Sequence, residues 1–400
     1  MIVRDMYLNR LVSAKDTEFI KVITGVRRSG KSTLLLMFKD YLINSCVSSD
    51  NIIYMNFESA LFDDVKDYKD LYDYVKKFVN GKRIYLLLDE VQNVLMFQRA
   101  LNAFKVDFDI DIYITGSNAY LLSSELSTLL SGRYIEIKMY PLSFKEFLVF
   151  NNYDNSDLSS KFNEYLKYGG LPAITSIKDN PSLVLSYLED IYNTIVKKDI
   201  IDRNNIKDTA LLENIVKYLA SNIGSPISSN KISDYLNSNK VTNNSNHQTI
   251  DNYLNMLEKS FIMYKADRTD VRSKALLKTL GKYYFSDLGI RNVVIGFRNT
   301  DDVCLIKNVV YLELLRRGYR VNIGKSNDYE VDFVAENPNE IKYYQVTQTL
   351  ALESVKEREL RSLESINDNY EKVILTMDRP INNDINGIKI VYIIDWLLSE

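Results

Sequence analysis

The stretch FIKVITGVRRSGKSTLLLMFKDYLI, residues 19–43, decides the fold. Its first seven residues are an apolar run ending in Gly25, which reads as a buried strand, and residues 31–43 read as a helix. Between them GVRRSGKS, residues 25–32, satisfies G-x-x-x-x-G-K-[ST] in the context that pattern needs, a strand before it and a helix after it. Gly25 and Gly30 permit a tight loop whose backbone N–H groups point at phosphate oxygens, and the helix N-terminus adds a favourable field. Lys31 is expected to reach the β- and γ-phosphates and Ser32 to ligate Mg2+, with Thr33 assisting at the phosphate end. Ser29 completes the cradle, while Arg27 and Arg28 are candidates for contact with phosphate or an adjacent protomer.

Outward from this loop the alternation continues. NIIYMNF (51–57), RIYLLLDE (83–90) and DIYITGS (111–117) read as strands, and DDVKDYKDLYDYVKKFV (63–79) has helical spacing. Continuous apolar strands separated by helices indicate a parallel sheet covered on both faces, so residues 1–150 are read as an α/β nucleotide-binding domain. RIYLLLDE delivers Asp89 and Glu90 at its C-terminal tip, where open parallel sheets bind ligands. Asp89 suits Mg2+, directly or through water, and Glu90 suits the base that polarises an attacking water. The next strand is expected to carry Thr115, Ser117 or Asn118 toward the γ-phosphate, with the Asn118 amide orienting the lytic water. Arg133 in LLSGRY is a candidate to neutralise charge during phosphoryl transfer, from a neighbouring subunit or in cis, or else to form a surface salt bridge.

From 151 to 290 the pattern turns helical: KFNEYLKYGGLPA (161–173), broken by Gly169, Gly170 and Pro172, then an amphipathic helix over 181–201, then helices at 210–221, 228–238 and 247–259. The strand-like segments FIMYKADRTD and KYYFSD follow, which suits a winged-helix module or a small helical packing domain. The polar stretch LNSNKVTNNSNHQT (236–249) would link two of the helices. Arg268, Arg272, Lys274, Lys278 and Lys282 lie near the expected wing, where they suit DNA or simply a solvated hairpin. Residues 291–400 return to strand–helix alternation, with a helix at 305–319, strands YEVDFVAE and YYQVTQTL, a charged helix at 354–366 and strand EKVILTM.

Composition narrows the classes. A formal net charge of -3 excludes a strongly basic nucleic-acid sponge. Cys46 and Cys304 form no C-x-x-C unit, and His247 is the only histidine, which argues against disulfide frameworks and Cys or His metal centres. No apolar run approaches membrane-spanning length and the N-terminus lacks a signal shape, so a cytoplasmic protein without membrane contact is expected.

TGVRRSGKSTLL, YMNFE, LLLDEVQ, ITGSNAYLLSSELSTLLSGRY, YPLSFKEF and YGGLP follow one another in order. Together they resemble prokaryotic AAA-type ATPases of the AAA+ superfamily whose C-terminal half is a domain of unknown function, here DUF4143-like. KYYFSDLGIRN, VYLELLRRGY, YEVDFV and YYQVTQTL carry the likeness through that half. The resemblance implies ATP as the nucleotide, with Mg2+; Lys31 and Ser32 at the phosphates; Asp89 on Mg2+; Glu90 as base; Asn118 as sensor; and Arg133 as finger. Glu58 matches a recurring acidic position without an assigned role. Residues 291–400 resemble the restriction-endonuclease-like fold, whose site needs carboxylates on adjacent strands and a lysine. Glu313, Asp332 and Gln345 are the candidates, but Gln345-Val346-Thr347 stands where an acid and a lysine belong, so the expected domain is catalytically degenerate. The expected partners are double-stranded DNA or a protein, together with further copies of the chain. A nucleotide-gated binding module with little turnover is the alternative, and a nuclease a further one.

Overall fold

Five strands, β1 (Ile20–Thr24), β2 (Ile52–Asn56), β3 (Ile84–Asp89), β4 (Ile110–Gly116) and β5 (Tyr134–Lys138), pair in the order β2-β3-β4-β1-β5, all parallel. In this computed structural model the described residues are 2–119, 132–238, 246–296 and 302–399. The sheet lies in the first of two units, Met1–Tyr140 with Lys259–Phe261. Every residue of β1, β3 and β4 is buried, because helices cover both faces as continuous apolar strands require. Helices Tyr68–Lys76 and Phe97–Asp107 bring Leu71, Val75, Leu101 and Phe104 onto Val22, Leu86 and Ile112. Helices Asp5–Ala14 and Lys31–Asn44 bring Tyr7, Leu11, Leu34 and Phe38 onto Ile23, Leu87 and Tyr113 on the other face. The order sets β1 beside β4 and β4 beside β3, so the phosphate loop, Asp89 and Thr115 leave the sheet at one edge.

Among the buried strand residues, Lys21 of β1 and Asp111 of β4 carry opposite charges. Lys21 Nζ donates to Asp111 Oδ1 at 2.5 Å with both side chains fully enclosed, and Asp111 Oδ2 also accepts from Tyr113 OH at 2.8 Å and from the Asp16 amide at 2.9 Å. Burial pulls the Lys21 ammonium below its ordinary pKa, partly opposed by Asp111. Lys21→Met is expected to cost about 3–5 kcal/mol in urea unfolding, since it strands a carboxylate, and adding Asp111→Leu should recover most of the loss. A single-variant cost below about 1 kcal/mol would show that the carboxylate finds another counter-charge.

The second unit comprises Pro141–Glu258 and Ile262–Glu400. Its strands are β6 (Pro226–Ile227), β7 (Met263–Asp270), β8 (Leu276–Phe285), β9 (Arg320–Ser326), β10 (Tyr329–Glu336), β11 (Ile341–Thr347), β12 (Glu371–Thr376), β13 (Asp384–Ile385) and β14 (Ile388–Tyr392). They form one mixed sheet in the order β13-β14-β12-β11-β10-β9-β7-β8-β6. The division expected at 290/291 therefore runs through a single sheet: β7, read as part of a wing, pairs in parallel with β9 through Arg268↔Ile323 and Thr269↔Gly324. Helices Thr209–Ser221, Ser229–Ser238 and His247–Lys259 stand close to where spacing put them, while residues 239–245 of the polar link lie outside the described residues. The helix expected over 181–201 is α-helical over Pro181–Thr194 and continues as a π-helix, Ile195–Asp202. No helix among the described residues is long and apolar enough to cross a membrane.

Candidate functional site

The loop after β1 has the backbone its glycines suggest. Gly25 has φ +143°, and a Cβ there would sit 2.1 Å from the Met139 carbonyl oxygen, so no other residue fits without moving the chain. Lys31 opens the helix and is 4% exposed, its Nζ donating to the carbonyls of Gly25 at 3.0 Å and Val26 at 3.1 Å. The Ser29 hydroxyl is buried and has no hydrogen-bond partner among the described residues. Thr33 and Arg28 are exposed, and Arg28 takes a left-handed φ of 67°. Arg27 turns instead to Glu58, Nη1 to Oε1 at 3.2 Å, which gives the acidic position after β2 a partner.

Ser32 Oγ donates to Asp89 Oδ1 at 3.1 Å, joining the loop to the tip of β3. Asp89 is fully enclosed and accepts also from Thr115 Oγ1 at 2.5 Å and Tyr54 OH at 3.3 Å. Burial raises its carboxyl above the ordinary range, with the three hydroxyl donors acting against that. Burial and the neighbouring Asp89 charge push the Tyr54 phenol up to about 12, so it serves Asp89 as a donor. Glu90 adopts a left-handed φ of 53°, held by its amide donating to Thr115 Oγ1 at 2.9 Å. Its carboxylate accepts from Gln92 Nε2 and from Ser117 Oγ at 3.3 Å. Thr115 thus links the two acids, tying the side chain of one to the backbone of the other. Tyr54 and Gln92 escaped the sequence reading, although Tyr54 lies in the YMNFE strand and Gln92 in the segment LLLDEVQ.

Asn118 lies buried just beyond β4. Arg133, a candidate in cis or for a neighbouring subunit, lies elsewhere. Its carbonyl accepts the Ile20 amide at 2.9 Å, which fixes it at the start of β1, whereas the phosphate loop follows Thr24 at the other end. Four strand steps separate those ends by about 13 Å, which sets the Arg133 backbone at the opposite end of β1 from the phosphate loop. Residues 120–131, most of the segment between Asn118 and Arg133, lie outside the described residues.

In the second unit each of Glu313, Asp332 and Gln345 has protein partners. Gln345 does meet Asp332: the Asp332 amide donates to Gln345 Oε1 at 2.6 Å, and Gln345 Nε2 donates to Glu359 Oε2 at 2.7 Å. Asp332 itself is neutralised by Lys307 at 2.6 Å and accepts the Val346 amide at 3.0 Å. Glu313 is held by Arg316 and by Arg317, the latter at 2.8 Å, from its own helix, Asp302–Arg316, and the residue after it. The expected basic wing is also altered. Lys282 is buried against Glu330 at 2.6 Å, and Arg268 lies 3.9 Å from the same carboxylate, because the hairpin is part of the sheet. Arg272 and Lys274 are exposed, and the Lys278 side chain lies outside the described residues.

The YGGLP and SDLG segments meet at Asp287. Its carboxylate accepts the Gly170 amide at 2.7 Å and the Ile290 amide at 3.1 Å, capping helix Leu288–Ile295. Burial raises this carboxyl to about 6, with the backbone donors of Gly170, Ile290 and Gly289 opposing the rise. A folded-state pKa above the unfolded one favours folding most at low pH, and that contribution is lost as pH rises from about 4 through 6. Over that window the unfolding free energy of the parent is expected to fall by roughly 3 kcal/mol relative to Asp287→Asn. Parallel pH profiles for the two proteins would contradict this.

A family model described as an AAA domain matches residues 17–148, and one for a domain of unknown function, DUF8612, matches residues 159–301. The match beyond the AAA domain is thus to DUF8612 and spans residues 159–301, where a DUF4143-like domain was the expectation. An uncharacterized protein of Haemophilus influenzae is 45% identical over 403 residues, covering 100% of this chain and 99% of its own length. An uncharacterized protein of Methanocaldococcus jannaschii is 32% identical over 376 residues, covering 89% of this chain and 78% of its own. Among solved structures, a Walker-type ATPase of Pyrococcus abyssi shares the fold with a TM-score of 0.52 at 15% identity, covering 74% of this chain and 96% of that one.

Proposed function

The chain belongs to a family, shared with its Haemophilus and Methanocaldococcus relatives, of AAA-domain ATPases followed by a distinct domain of unknown function, and we propose that it hydrolyses ATP with Mg2+ to drive action on DNA or a protein partner. The observation that carries this reading is the contact of Ser32 Oγ with Asp89 Oδ1 at 3.1 Å, with Lys31 beside the one and Glu90 beside the other. Those oxygens are hard donors and fit Mg2+, which usually takes one or two carboxylates together with phosphate oxygens and water. No group of three His, Cys, Asp or Glu side chains suited to a metal occurs among the described residues. When bound, Mg2+ would neutralise charge on the β- and γ-phosphates. Lys31 would release its loop carbonyls and turn to phosphate oxygens. Glu90 would accept the proton of the attacking water, and Asn118 would orient that water.

Arg133 would serve a neighbouring subunit's nucleotide, which makes a homo-oligomer the active assembly. In the second unit the winged-helix reading is supported by three helices, a short β6 on β8 and the β7–β8 hairpin, with exposed Arg272 and Lys274 for DNA. The restriction-endonuclease-like reading of residues 291–400 rests on β9–β12 with the helices Asp302–Arg316 and Glu353–Glu364. Its nuclease version loses support, since Asp332 and Glu313 are occupied by Lys307 and by two arginines. A nucleotide-gated binding module is the second reading, favoured by the engaged states of Lys31 and Glu90.

Steady-state ATP hydrolysis with and without double-stranded DNA, and with EDTA, tests the proposal. EDTA-sensitive turnover that rises several-fold with DNA supports a DNA-directed ATPase. Turnover indifferent to DNA points to a protein partner. ATP binding without turnover would sink hydrolysis and leave the binding module.

A further inference from the structure

Arg4 stands just before the helix Asp5–Ala14 and is 4% exposed. Its Nη1 donates to two main-chain carbonyls far apart in sequence, Ser29 at 3.1 Å and Tyr140 at 2.9 Å. The guanidinium lies 4.5 Å over the ring of Tyr7, and Tyr7 OH accepts the Tyr140 amide at 3.1 Å. Both polar groups of the Tyr140 main chain are thus held by the N-terminal segment. The neighbouring Met139 amide donates to the Thr24 carbonyl at 2.7 Å, and the Met139 carbonyl is the atom that forbids a side chain at Gly25. The phosphate loop is therefore bounded by the segment 139–140 and fastened to it through one arginine. Tyr140 is also the residue at which the chain leaves the first unit.

We infer that Arg4 is a positioning residue for the phosphate loop and ties the loop's state to the Met139–Tyr140 segment. The Ser29 carbonyl and the Gly30 N–H belong to one planar trans peptide and point in opposite directions. Holding that carbonyl on Arg4 aims the Gly30 N–H away from the N-terminal segment, toward the side where such a loop holds its anion. A guanidinium suits the task because it stays charged when buried, stacks on an aromatic face and serves two acceptors at once. A charge-assisted donor fixing one loop peptide is worth about a tenfold change in phosphate affinity. The role presupposes that residues 25–32 bind nucleotide phosphates, as proposed above.

The test is the affinity of the full chain for ADP with Mg2+, measured by titration calorimetry on the parent, Arg4→Gln and Arg4→Lys. Arg4→Gln is expected to bind about tenfold more weakly while its circular dichroism stays parental, and Arg4→Lys, which keeps the charge but not the planar fork, to lie between. A folded Arg4→Gln protein with parental affinity overturns the role of Arg4 and leaves the nucleotide site intact. A parent that binds no ADP overturns the nucleotide reading and this role with it. Hydrogen exchange on the unaltered chain covers the case in which Arg4→Gln does not fold. ADP is expected to slow exchange over residues 25–33 and 137–142 together, and protection confined to 25–33 sinks the link.

Discussion

Glu90→Gln is expected to lower ATP turnover by about 100- to 10,000-fold while leaving nucleotide binding in place. The left-handed backbone at Glu90 is fixed by its amide on Thr115, a contact the substitution does not touch. A glutamine side chain has the same shape and can still accept from Gln92 and Ser117 through its remaining oxygen. What it cannot do is take a proton from water. Loss of turnover with retained binding is therefore the signature of a missing base rather than a damaged site. Turnover within threefold of the parent would assign the base elsewhere.

Lys31→Ala should act on the other term, lowering ATP affinity by about 100-fold or more through loss of charge-assisted contacts with two phosphates. The lysine now rests on the carbonyls of Gly25 and Val26, so its removal leaves those carbonyls short of a donor. Lys31→Arg keeps the charge, yet its wider fork does not suit a pocket in which the side chain is 4% exposed, and it should not rescue binding. Equilibrium titration with ATP and ADP checks both variants. Affinity within threefold of the parent for Lys31→Ala would mean that the loop binds its ligand without this side chain.

The phosphate loop was legible because its spacing is local: strand, loop and helix occupy 25 consecutive residues, 19–43. Asp89 and Glu90 were legible for a related reason, since an apolar strand ending in two acids announces its own tip. Thr115 was named, but its contacts with Asp89 and Glu90 were not legible, because β3 and β4 meet only through the register of the sheet. Lys21 and Asp111 each interrupt an apolar strand, and only the adjacency of β1 and β4 shows that the two interruptions cancel. The same holds for Gly170 with Asp287, and for β7 with β9, whose polar sequence RVNIGKS gives little sign of a central strand. Contacts across long sequence separations are set by topology, which local pattern does not encode.

The nine-stranded sheet also separates two ideas that share the word domain. The span that matches DUF8612 ends at residue 301, after β8 and before β9. A chain cut there would keep β7 and lose the neighbour that satisfies its outer row of N–H and C=O groups. It would also strip Tyr284 of Tyr311, whose ring lies 4.3 Å away, and of Phe333 at 5.8 Å. Such a fragment is predisposed to associate along β7 with another copy of itself. The family match ends at one residue and the sheet at another, and a piece excised on the first boundary inherits an adhesive edge that the whole chain never presents.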